Sequence, residues 1–219
     1  MLPSTAPSHV LILLFTCTIG VGSTGNNIEN NDNFDGARNL IKVLNTSELY
    51  WVYYQTYSNS FSASINNKNF TIETTCIRYN MTGLSSVEYN FTRYQTTESI
   101  TDADNFTGRF IYPNETDKKA PTSMNVYEAG ASNPDEMWIL LYTDPETHKC
   151  NVYEIRPADN KLTDEKRRCE MHIKDSQVRL RPTHGCDEVY KEKCSGKRYE
   201  PYKPQCTNKG NEENIIVYK

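Results

Sequence analysis

Long apolar runs are scarce in this chain. The pronounced one, residues 10–19 (VLILLFTCTI), falls well short of the roughly 20 residues that a membrane-spanning helix needs. No later run approaches that length, and the C-terminal IIVYK is no hydrophobic tail for a lipid anchor. Basic surplus is also missing: 24 Lys and Arg face 28 Asp and Glu, for a net charge of −4. Without a basic stripe, nucleic acid is excluded as the natural partner. No two cysteines stand at the C-x₂₋₄-C spacing of a structural zinc site. Catalytic signatures are absent as well. The chain has no G-x-S-x-G elbow, no Gly-rich phosphate loop and no HExxH, and only four histidines, His9, His148, His172 and His184. These absences argue against an enzyme and call for no cofactor and no metal.

What is present points to export. Residues 1–24 carry no Asp, Glu, Lys or Arg, and small residues Gly20, Gly22, Ser23 and Gly25 follow the apolar run. That is the pattern of a secretory signal, although no Lys or Arg precedes the run. Cys17 would leave with it, so that Cys76, Cys150, Cys169, Cys186, Cys194 and Cys206 remain. An even number in an exported chain implies disulfides, and six cysteines allow 15 pairings. Six N-x-S/T sequons begin at Asn45, Asn69, Asn80, Asn90, Asn105 and Asn114. So many sequons in one exported segment point to N-linked sugars, and each occupied Asn must face water. The expected divisions are a signal over 1–24, a loose leader over 25–34, one domain over 35–206 and a mobile tail over 207–219.

Hydrophobic content is 37% and mean hydropathy −0.72, so the core must be economical; 15 tyrosines can bury rings while keeping their hydroxyls bonded. Residues 35–44 have Ala37, Leu40, Ile41 and Leu44 at helical spacing with Asp35 as N-cap, which predicts one short helix. Residues 49–57 (LYWVYYQTY) read as a strand that is apolar on both faces at its start. Further strand-like runs follow at 70–79, 86–94, 107–112, 123–128, 137–143, 151–155 and 170–173. If Asn90 carries a sugar, alternation turns Glu88, Asn90 and Thr92 to water and Val87, Tyr89 and Phe91 inward. Residues 186–193 (CDEVYKEK) read as a helix pinned by Cys186 and Cys194, with Val189 and Tyr190 as its apolar face. The predicted fold is therefore all-β: an eight-stranded antiparallel barrel of lipocalin type, with a short N-terminal helix and a disulfide-pinned C-terminal helix. Such a barrel has room for one small ligand.

Local motifs add to this. Residues 49–57 form a first barrel strand. ILLYTD at 139–144 precedes KCNVY at 149–153, CEMHI stands at 169–173, and Cys186, Cys194 and Cys206 follow at wide spacing. In this order, from about Asp35 to Cys206, the chain resembles the salivary lipocalins of ticks, the family that includes the histamine-binding proteins. A lipocalin Gly-x-Trp signature is not found at Trp51, where Leu49 occupies the glycine position. The resemblance implies the pairings Cys76–Cys206, Cys150–Cys186 and Cys169–Cys194. It implies a secreted, monomeric, non-enzymatic protein that takes a small host-derived ligand, an amine such as histamine or serotonin or a lipid such as an eicosanoid or sterol, into its barrel, and it calls for no membrane partner.

The resemblance also implies site residues. Glu170 stands at the family's pocket Glu and Tyr57 at a pocket tyrosine. Ser60 and Asn151 replace two pocket aspartates, and His172 replaces an aromatic neighbour. Trp51 and Tyr53, from the aromatic cluster of the first strand, complete the candidate ligand-binding set. Fewer carboxylates make a pocket less acidic than an amine binder's, poorly suited to histamine in its doubly charged form. The competing expectation is a protein-binding immune modulator, a complement or cytokine antagonist that acts on a host immune protein through loops in the C-terminal half or at a barrel mouth, away from the sequons.

Overall fold

The computed structural model describes residues 38–65, 67–112, 120–158, 168–207 and 215–217. The signal, the leader, Asp35 and Asn114 lie outside the described residues.

Helix α1 (Leu40–Leu44) begins later than the periodicity suggests. Its N-cap is Asn39, whose side chain accepts from the Lys42 amide, and Leu40, Val43 and Leu44 are buried. The strands are β1 (Tyr50–Gln55), β2 (Ser60–Ile65), β3 (Lys68–Leu84), β4 (Glu88–Thr97), β5 (Ile100–Ile111), β6 (Ser123–Glu128), β7 (Glu136–Thr143), β8 (Cys150–Pro157), β9 (Cys169–Lys174) and β10 (Ile215–Val217). Each pairs with its neighbour in the order β1-β9-β8-β7-β6-β5-β4-β3, and β3 returns to β1 through Tyr50↔Tyr79 and Trp51↔Arg78. Eight antiparallel strands thus close a barrel, the architecture predicted from the sequence.

Two strands lie off the barrel. β2 forms a hairpin with the first third of β3, from Ser60↔Glu73 to Ile65↔Lys68. Its sequence, SFSASI, is too polar to announce a strand. Within the tail read as mobile, Ile215–Val217 lies parallel to Thr101–Ala103 of β5.

The β1–β3 seam is short because β3 breaks register between Thr75 and Arg78, where Cys76 has φ 53°. The bulge turns Cys76 to the outer face and leaves Ile77 facing the interior. Beyond the bulge the chain's own C-terminal segment fills the gap. Tyr199 exchanges backbone hydrogen bonds of 2.8 and 3.0 Å with Gln55, and the Cys76 amide donates to the Pro201 carbonyl at 3.0 Å.

Helices α2 (Asp175–Val178) and α3 (His184–Lys193) follow β9. α3 holds Cys186 and Tyr190 against the barrel's outer face and ends at Cys194. It sits so close that a Cβ on Gly185 would collide with the Tyr142 hydroxyl. The bridges are Cys76–Cys206, Cys150–Cys186 and Cys169–Cys194, the pairings that the resemblance implies.

Two apolar clusters result. The interior one joins Tyr50, Val52, Tyr79, Tyr89, Phe91, Met124, Trp138, Leu140 and Tyr153. The outer one joins Trp51, Val152, Met171, Ile173, Tyr190 and Tyr202 beneath α3 and the C-terminal segment. In β4, Tyr89 and Phe91 are buried and Asn90 is exposed, as alternation predicts. Val87, expected inside, is 59% exposed because it precedes the strand. Thr92, expected to face water, is 8% exposed because its hydroxyl donates to Asn105 Oδ1 across the β4–β5 pair.

Candidate functional site

A cavity of about 290 Å³ opens at the end of the barrel where β1 and β3 part. Its position follows from local sequence. β1 ends at Gln55, and Tyr57 to Ser60 turn across the mouth into β2. Tyr79, Phe91 and Trp138 form an aromatic wall, with Tyr79 and Trp138 ring centroids 5.1 Å apart.

Glu170 is the most constrained polar group. Inward alternation in β9 puts it opposite Gln55 of β1, where it is 4% exposed. Its carboxylate accepts from the Tyr57 hydroxyl, from Tyr79 Oη at 3.4 Å, and pairs with His172 Nε2 at 2.5 Å. Burial alone would raise its pKa. The hydrogen bond and charge of His172, the Tyr57 hydroxyl and the more distant Arg168 outweigh burial and hold it below the ordinary carboxylate value. Burial, and then the same carboxylate, push the Tyr57 and Tyr79 hydroxyls well above the usual tyrosine range. His172 lies beneath, 2% exposed and ringed by Tyr79, Trp138 and Tyr153 at centroid distances of 4.7–5.4 Å.

A second carboxylate escapes the sequence reading. Glu136 begins β7, lines the cavity, and accepts from Trp138 Nε1 at 3.1 Å. Burial, then the charge of Glu170, raises its pKa. Two guanidiniums share the lining. Arg93 pairs with Asp104 at 3.3 Å, and Arg168 reaches Glu136 at 3.6 Å while its Cζ lies 4.4 Å over the Tyr57 ring.

Of the residues nominated from sequence, Glu170, Tyr57 and Ser60 converge on the cavity. Ser60 stands at its rim, 3.2 Å from the Ser58 hydroxyl. Trp51 and Tyr53 do not line it. β1 alternates Tyr50 and Val52 inward, so Trp51 and Tyr53 face the outer cluster. Trp51 Nε1 donates to Asp175 at 2.7 Å, and Tyr53 stacks on Tyr202 at 5.5 Å. Asn151 is buried inside the barrel with its Nδ2 3.4 Å from the His148 carbonyl, away from the cavity lining. The residues that sequence reasoning passed over are Glu136, Trp138, Arg93, Arg168 and Tyr79. Trp138 and Leu140 share one face of the strand expected over 137–143, and that alternation was the signal available for Trp138.

A buried carboxylate, an aromatic wall and a second carboxylate near the mouth can receive a small cationic ring compound. The family model of the tick histamine binding protein matches residues 28–208. The chain belongs to the tick histamine-binding protein family. Among solved structures, the crystal structure of AM182 in complex with serotonin is similar, with a TM-score of 0.51 at 14% identity, over 77% of this chain and 92% of that one. That likeness is one of fold. No curated protein matches the chain.

Proposed function

We propose that this barrel binds a small aromatic monoamine and sequesters it. The observation that carries the reading is Glu170: a carboxylate at the base of the cavity, ionised despite burial, beside Tyr79, Phe91 and Trp138. A cation leaving water needs an anionic partner, and ring faces add about 0.5–2 kcal/mol. Membership of the histamine-binding family and the likeness to a serotonin complex support an amine. The volume is at the low end for small-molecule sites, which suits a single ligand of serotonin's size better than a long-chain lipid. With Arg93 and Arg168 offsetting Glu136, the cavity suits a singly charged amine better than a doubly charged one.

The wider reading is an exported scavenger of a host mediator that damps host defence. Three disulfides support an oxidising destination. The sequons support surface sugars. Asn45, Asn69, Asn90 and Asn105 are exposed, and Asn80 is half-buried. Two of them pair across β4 and β5, with Asn90 opposite Thr107 and Thr92 opposite Asn105. Each threonine hydroxyl donates to the other strand's Asn Oδ1 at 2.8 Å.

Calorimetric titration of the secreted protein with serotonin, histamine, a leukotriene and cholesterol tests the reading. Serotonin is expected to bind most tightly. A second reading has one supporting observation, the guanidiniums of Arg93 and Arg168, which could hold a lipid carboxylate. Tight leukotriene binding with no amine binding would replace the first reading by the second.

A further inference from the structure

Among the described residues, every charged side chain that lines the cavity has a partner. Glu170 pairs with His172, Arg93 with Asp104, and Glu136 with Arg168. A cation entering this space must displace one already there. The three resident groups differ in their freedom to move. His172 is 2% exposed and wedged among three rings. Arg93 is held by Asp104 and lies over Phe106 at 4.7 Å. Arg168, whose side chain is as exposed as that of Arg93, has the loosest ion-pair contact of the three at 3.6 Å.

Arg168 also stands where a ligand's ammonium would find its contacts. Its guanidinium covers the face of Tyr57, the same tyrosine whose hydroxyl donates to Glu170. It lies beside Glu136, and its charge acts on both Glu136 and Glu170. An aromatic face flanked by two carboxylates is what a cation leaving water requires. The backbone is fixed, since the Arg168 carbonyl accepts from the Ile155 amide at 2.8 Å, so exchange needs only the side chain to swing outward. A half-open ion pair gives little resistance to that motion.

We propose that Arg168 is an internal competitor: its guanidinium lies at the position that a ligand's ammonium would take, and an amine binds by displacing it. The proposal rests on the amine reading above. It makes Arg168 a residue that sets the affinity threshold by opposing the ligand.

The test is calorimetric titration of full-length wild type, Arg168→Gln and Arg168→Lys with serotonin. Arg168→Gln is expected to bind about tenfold more tightly, equivalent to about 1.4 kcal/mol. Arg168→Lys keeps a cation at the site and should stay near wild type. Arg168→Met, which retains an aliphatic stem over Tyr57 without charge, gives the same readout if the Gln variant fails to fold. Affinity that is unchanged or weaker in the neutral variants, with wild type binding amine, overturns the competitor and leaves the amine reading standing. Binding by the neutral variants alone would support it most strongly. If no protein in the series binds an amine, the amine reading falls and the competitor falls with it.

Discussion

Glu170→Gln removes one charge from the barrel interior and almost no volume. The fold should tolerate it, because Gln still accepts the Tyr57 hydroxyl through Oε1 and can donate through Nε2 to an unprotonated His172, leaving only the long 3.4 Å contact of the Tyr79 hydroxyl without its acceptor. The ligand loses more. Glu170 is 4% exposed, so any attraction between it and an ammonium acts away from water. Truncating one partner of such a buried pair costs about 2–5 kcal/mol, much of it the penalty of leaving the other charge unpaired. Glu136 remains nearby and softens that penalty, which sets the expected loss at tenfold or more, at least about 1.4 kcal/mol. Isothermal titration with serotonin at neutral pH reads the change directly, with a thermal melt of the unliganded variant alongside. A folded variant whose Kd lies within a factor of two of wild type would refute Glu170 as the ammonium's partner.

The remaining predictions use other features. The chain has two tryptophans, and only Trp138 lines the cavity. A ligand-induced change in tryptophan fluorescence should persist in Trp51→Phe and vanish in Trp138→Phe; the reverse would put the ligand elsewhere. Burial and the Glu170 charge raise the Glu136 pKa, so Glu136 takes up a proton at milder acidity than an exposed glutamate, and amine affinity should already decline above the ordinary value of 4.5 as pH falls, which titrations at stepped pH would show. Glu170 acts with the opposite sign on stability: its folded pKa is depressed, so its contribution is complete above the ordinary value of 4.5 and is lost as pH falls through the folded value, which an acid-unfolding curve of Glu170→Gln against wild type would show. Loop-closure entropy gives about 5 kcal/mol for Cys76–Cys206, which spans 130 residues, against about 3.5 for Cys169–Cys194, which spans 25. Urea titration of the paired Cys→Ala variants should rank them in that order, and equal losses would show that strain or residual structure outweighs chain entropy.

The barrel was legible because its strands alternate or are strongly apolar and are separated by short turns. Tyr89 and Phe91 illustrate this, since one face of β4 is solvated and the pattern fixes the other. The facing of β1 was not legible. Its outer side is covered by α3 and the segment around Tyr202, so Trp51 and Tyr53 are as apolar as Tyr50 and Val52 and no polar alternation separates the two sides. Glu170 and Tyr57 could be placed by resemblance. Glu136 could not, because after Pro134 and Asp135 it reads as one more charge in a turn. Arg168 lies just outside the strand the pattern marks, and its role depends on Tyr57, more than a hundred residues earlier, which local sequence cannot report.

Each of the three bridges joins an early cysteine to a late one. Cys76, Cys150 and Cys169 belong to barrel strands, while Cys186, Cys194 and Cys206 belong to the last stretch of chain. During synthesis the first three thiols therefore emerge with none of their native partners yet made. Any bond formed among those three before Cys186 is made must be a wrong one, to be undone by exchange. The barrel strands end at Lys174, before any of the late cysteines, so burial and strand pairing can shape the barrel before native oxidation locks it. Maturation of this protein should accordingly be sensitive to how fast thiols are oxidised relative to translation, and a disulfide isomerase should speed it more than an oxidant does.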